Sequence, residues 1–173
     1  MNRLLKEGLI KRYPYLRLFE SMNIRINSQI SSIDSLFKTG EKIKDEEIQA
    51  HFAKYLCIKT SGLLENYIKS QIGDYVDASS SQPTARFIKN KLKTFTNIDY
   101  QKLTTFLDTF DPNWTYTFNE KINDELKSSL NSLISNRNNI AHGNADSITF
   151  TNVRKYYQAT KEVINILDQI IKK

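Results

Sequence analysis

Apolar side chains recur at intervals of three and four residues along almost the whole chain, and no segment sustains an alternation of two. The first spacing lines one face of an α-helix and the second one face of a strand, so the pattern points to an all-α fold. Five glycines and three prolines in 173 residues leave few places where a helix must stop. The expectation is an antiparallel helical bundle of about five to six helices.

Leu16, Phe19, Ile26, Ile30, Ile33 and Phe37 mark a first long helix, with Pro14 suited to its opening turn and Thr39-Gly40 to its end. The acidic run Asp45-Glu46-Glu47 suits the positive start of a second helix, which carries Ile48, Phe52, Leu56, Leu63 and Tyr67 and runs past Ile72. Ala78 to Pro83 reads as a loop leading into a short helix with Phe87, Ile88, Leu92 and Phe95. Another short helix covers about Asp99 to Phe110 and breaks at Asp111-Pro112-Asn113-Trp114. Ile122, Leu126, Leu130, Leu133 and Ile134 define a helix from about Asn119, and Val153, Tyr156, Tyr157, Val163, Ile164, Leu167 and Ile171 a last one. Short loops and the lack of any repeat predict one domain over residues 1–173.

A formal charge of +6 favours a polyanionic partner, but the lysines are spread along the chain, as on any solvated helical surface. No apolar run approaches the roughly 18 to 20 residues that span a bilayer, and Met1 to Gly8 lacks the apolar core of a secretory signal, so the sequence reads as cytoplasmic, with no membrane partner. The single cysteine, Cys57, lies among apolar neighbours and reads as a buried thiol. Around His142 there is no His/Cys cluster and no carboxylate pair at ligand spacing, so neither a metal nor another cofactor is expected.

Chemistry concentrates in Asn136-Arg137-Asn138-Asn139-Ile140-Ala141-His142-Gly143. A guanidinium grips phosphate through a planar fork of donors, and an imidazole moves protons near neutral pH, the two capacities that metal-free RNA cleavage needs. The Arg-x-x-x-x-His spacing is a weak signal alone. Arg137, however, follows Leu133 by four residues and Ile134 by three, on the core stripe, where a guanidinium needs an acceptor. Asn138 and His142 share a side, whereas Arg137 and His142 differ by about 140° on an unbroken helix. Unwinding near Gly143, or a second copy of the motif, would bring both to one phosphate. The structural reading of the same residues is an inward arginine in an ion pair and a histidine favoured by the helix dipole.

Asn136 to Gly143 resembles the motif shared by the HEPN superfamily of α-helical RNA-processing and defence domains. Over about residues 45–170 the chain is most similar to the RiboL-PSP-HEPN family, in Tyr55-Leu56-Cys57, Ser61 to Glu65, Arg86-Phe87-Ile88, Phe95-Thr96-Asn97, Phe110 to Trp114 and Val153 to Tyr157. This resemblance implies a metal-independent endoribonuclease of toxin or defence type, acting as a homodimer with RNA as substrate. Arg137 and His142 would be its catalytic residues, with Asn138 and Glu65 in support. Glu65 is the acceptor that the resemblance offers Arg137, its plainer reading being a surface glutamate. Expected products carry 2′,3′-cyclic phosphate and 5′-hydroxyl ends. Related toxins often have Tyr two residues after the histidine as a site of nucleotide transfer; here that position is Asn144, which argues against silencing of that kind. The resemblance leaves residues 1–40 as an additional N-terminal helix, and the restraint it calls for is an antitoxin or other regulatory protein as partner, an activating effector, or modest activity with narrow substrate choice. The alternative is a non-catalytic HEPN-like dimeric bundle that binds RNA or a partner protein. Trp114, Tyr156 and Tyr157 read as packing groups, and His51 as a partly exposed structural histidine.

Overall fold

A computed structural model describes residues 15–171, with side chains from residue 24 onward; the expectations on Pro14, Leu16 and Phe19 fall outside these. The described residues form seven helices and no strand: α1 Tyr15–Gly40, α2 Glu46–Ser79, α3 Gln82–Leu92, α4 Tyr100–Phe110, α5 Pro112–Lys121, α6 Asp124–Ala141 and α7 Phe150–Ile171. The all-α expectation holds, with one helix more than the five to six foreseen. Asp111, placed at a break, both ends α4 and starts α5, its carboxylate accepting the Asn113 N–H at 2.8 Å ahead of Pro112 in the first turn. Consequently α6 begins at Asp124 rather than near Asn119, with Asn123 accepting the Leu126 N–H at 2.8 Å. Asp45 and Asp99 cap α2 and α4 in the same way, through the N–H groups of Ile48 and Lys102.

Helix α2 is the axis of the bundle. Ala53, Leu56, Cys57, Leu63, Leu64, Ile68 and Ile72 are almost wholly buried along it, and α1, α3, α6 and α7 all pack against it. Each such leucine or isoleucine contributes about 1.5–3 kcal/mol relative to leaving it exposed. Helix α1 returns along α2, joined by Asn66 to Gln29 at 3.3 Å. Helix α7 closes the other side, where the buried Tyr157 stacks on Phe37 and donates its hydroxyl to Asp34 at 2.8 Å. Burial first, and then Asp34, push the Tyr157 phenol above its ordinary range. Helices α4 and α5 are tied to α2 by an aromatic series running Phe95, Phe106, Phe110, Trp114 and Tyr75.

Two apolar residues read as core face outward: Ile48 is 57% exposed and Phe87 62%. Each lies on the outer arc of its helix, Ile48 with Tyr55 and Ile58, and Phe87 with Lys91.

Glycine matters where α1 ends, because a Cβ on Gly40 would run into the Phe150 ring, whereas one on Gly62, inside α2, meets nothing within 4 Å. Gly62→Ala should therefore stabilise the fold by about 0.5–1 kcal/mol through helix propensity. Gly40→Ala should destabilise it by about 1–3 kcal/mol through overpacking. Urea denaturation of the two variants checks the opposite signs.

Candidate functional site

The motif occupies the last turn and a half of α6. Leu126, Leu130, Leu133 and Ile134 bury its inner face, and the turn after them carries Arg137. The helix then closes on itself: His142 N–H bonds the Asn138 carbonyl at 3.0 Å, Gly143 N–H that of Ile140 at 3.3 Å and Asn144 N–H that of Asn139 at 2.9 Å. This reversal needs a residue in the left-handed region, and Gly143, with φ of +67°, supplies it at no steric cost. His142 is the C-cap residue, exposed at the rim. The helix runs unbroken from Arg137 to Ala141, and the His142 N–H still bonds four residues back, so a wide angular separation of about 140° between the two persists within one chain.

Arg137 is half-buried, and its Nη1 donates to Asn138 Oδ1 at 3.3 Å. That bond bends the guanidinium toward the side that Asn138 shares with His142. Among the described residues no carboxylate lies within ion-pairing distance of Arg137, and the pairing with Glu65 does not form. Glu65 instead accepts the Asn97 N–H at 2.8 Å and lies 3.9 Å from Lys69 Nζ. The reason is register. Cys57 Sγ donates to the Leu133 carbonyl at 3.7 Å, and α6 runs antiparallel to α2 from there. Arg137 thus sits about 6 Å to one side of that contact along the helix axes and Glu65 about 12 Å to the other. Glu65 braces Asn97, itself at a φ of +54°, and so holds the turn between α3 and α4.

A residue to which the sequence reading gave no role beyond the turn after the motif, Asp146, anchors the loop behind His142. Its side chain is 7% exposed and meets Lys54 Nζ at 3.0 Å, fastening residues 142–149 to the start of α2. Burial, and secondarily the Asp146 charge, push the Cys57 thiol up to about 12, with Arg137 opposing. Cys57, Arg137 and Asp146 therefore share one neighbourhood between α2 and α6. The signal for Asp146 was a lone carboxylate just before the buried Ile148.

One family model covers residues 21–173, that of RiboL-PSP-HEPN. The chain belongs to the RiboL-PSP-HEPN family. No curated protein and no solved structure matches it. The HEPN match begins inside α1, so it takes in half of the stretch that read as an addition to the domain. Membership in a HEPN family suggests a ribonuclease or nucleotide-binding role. Among the described residues no helix is long and apolar enough to cross a membrane.

Among the described residues, the remaining aromatic and histidine candidates form no hydrogen bond, ion pair or ring contact with Arg137 or His142 and serve other ends. Trp114 and Tyr157 are buried packing groups, Tyr156 packs at the edge of the core, and His51 lies on the exposed side of α2, 4.0 Å from Glu47. Two outcomes follow from the geometry around Cys57. Iodoacetamide at pH 8 should leave the native thiol unlabelled and should label it once urea unfolds the chain; labelling of the native protein at a free-thiol rate would contradict the burial. Asp146→Asn should speed hydrogen exchange at the Gly143 and Asn144 amides by about tenfold or more, with core amides unchanged.

Proposed function

We propose that this chain is a metal-independent endoribonuclease of toxin or defence type, working as a homodimer in the cytoplasm. The observation that carries the reading is a half-buried Arg137 with no carboxylate partner among the described residues, bent by Asn138 toward the side of an exposed His142. A guanidinium so placed is free to take an anion. The C-terminal end of a helix repels anions through its dipole, and here its last carbonyls are closed off by the Gly143 turn. The positive charge for a phosphate must then come from Arg137.

In the reaction, the ribose 2′-oxygen attacks the adjacent phosphorus as its proton passes to an imidazole. The P–O5′ bond breaks and the leaving oxygen gains a proton, giving a 2′,3′-cyclic phosphate and a 5′-hydroxyl. Arg137 holds the non-bridging oxygens bidentately as charge develops on them. Asn138 keeps the guanidinium turned to the site. DNA lacks the attacking group and resists.

Angular separation favours a second copy, whose motif would complement the first across a two-fold axis. Ile48, Tyr55 and Ile58 lie on the outer arc of α2, 57%, 44% and 39% exposed, close to the Lys54 and Cys57 contacts that border the motif. This is the face that the second copy would cover. A regulatory protein of antitoxin type would restrain the enzyme, by a route other than modification at the position two after His142, where Asn144 stands.

Total RNA incubated in EDTA with wild type, Arg137→Ala and His142→Ala tests the reading. Cleavage by the wild type that persists in EDTA and falls about a hundredfold or more in both variants is expected. Equal nicking by all three would expose a contaminant. Absence of cleavage, with RNA still bound, would leave the non-catalytic binding bundle.

A further inference from the structure

Arg86, Lys89, Lys91 and Lys93 all fall within residues 78–98, where no acidic residue stands. Lys89 is turned back onto α2, pairing with Asp77 and passing 3.8 Å from where a Cβ of Gly73 would be. Beside it Asp74 is half-buried, its carboxyl raised by burial and then by Asp77. Lys89 is thus neutralised, while Arg86, Lys91 and Lys93 stay exposed, with no ion pair among the described residues.

Among these cations stands Phe87, with Lys91 Nζ 5.6 Å from its ring centroid. The ring edges an open hollow of about 470 Å³, which Gln82, Arg86 and Asn90 also line. A flat aromatic face, two carboxamides and a row of cations form the combination that stacks an unpaired base, bonds its polar edge and follows its phosphates. An acidic protein segment would use the cations alone and leave the ring and the amides unemployed. Helix α3 is fastened to α2 at Asp77, twenty residues beyond the Cys57 contact beside the motif, or about 30 Å along the axis.

We propose that the outer face of α3 is a binding site for single-stranded RNA, separate from the Arg137–His142 motif, with one base stacked on Phe87 and the neighbouring phosphates held by Arg86, Lys91 and Lys93. The choice of RNA among polyanions rests on the ribonuclease reading. With Arg137 about 6 Å farther on, and at about 3.4 Å per nucleotide, a strand of roughly eleven residues reaches from this face to the motif. The site would therefore select long substrates and add affinity without taking part in the chemistry.

The test is fluorescence anisotropy of the full chain with a labelled 2′-O-methyl RNA of about 15 nucleotides, long enough to span both places. This probe has no free 2′-hydroxyl, so binding is read whether or not the protein cleaves RNA, and cleavage of unmodified RNA judges the ribonuclease reading separately. Phe87→Ala should weaken binding about tenfold and Phe87→Trp should preserve it. The double variant Lys91→Gln with Lys93→Gln should reduce the slope of log affinity against log salt by roughly 1.4. Binding by Phe87→Ala within about twofold of wild type would overturn the proposal. So would displacement of the probe by polyglutamate as effectively as by unlabelled RNA, or absence of wild-type binding at low salt.

Discussion

The packing of α6 against α2 is the constraint on which the functional end of the molecule depends. Cys57 and Leu133 meet where both helices are buried, and the contact of the thiol with the Leu133 carbonyl marks how far one helix is slid along the other. One turn beyond, Arg137 occupies the position on the stripe between Leu133 and the partly buried Ile140 that an apolar side chain would otherwise fill. Its long stem continues the packing while the guanidinium reaches the edge. The same slide decides which acid belongs to which partner, and leaves Glu65 at the far turn between α3 and α4.

The end of the helix is determined as closely as its placement. The Gly143 turn ties three amides back to α6, and the Lys54–Asp146 pair ties the following loop to α2. His142 is therefore an exposed side chain on a backbone held from both sides. An imidazole that must be available to a ligand and constant in position is served by that arrangement, which is the general logic of presenting reactive groups from rigid elements.

Helices were legible because burial here follows the turn of the helix: Leu126, Leu130 and Leu133 can share a face only if the chain is helical. Asp111-Pro112 was ambiguous, since the residues that stop one helix are those that cap the next. Periodicity also cannot tell which of several apolar positions neighbours will cover, so Ile48 and Phe87 read as core and are exposed. In the site, the motif itself stood out from composition and spacing, and the mismatch of Arg137 and His142 followed from helix geometry alone. The Lys54–Asp146 pair and the true partner of Glu65 did not, because each joins residues far apart in sequence whose meeting is set by tertiary register.

Tyr157 closes the bundle by reaching Asp34 and the Ile30 carbonyl across more than a hundred intervening residues. Until α7 docks, Phe37 has no Tyr157 ring to stack on, and the search for so distant a contact is slow. The bundle therefore becomes whole only when two helices far apart in the sequence meet, and its folding is governed by that one distant closure.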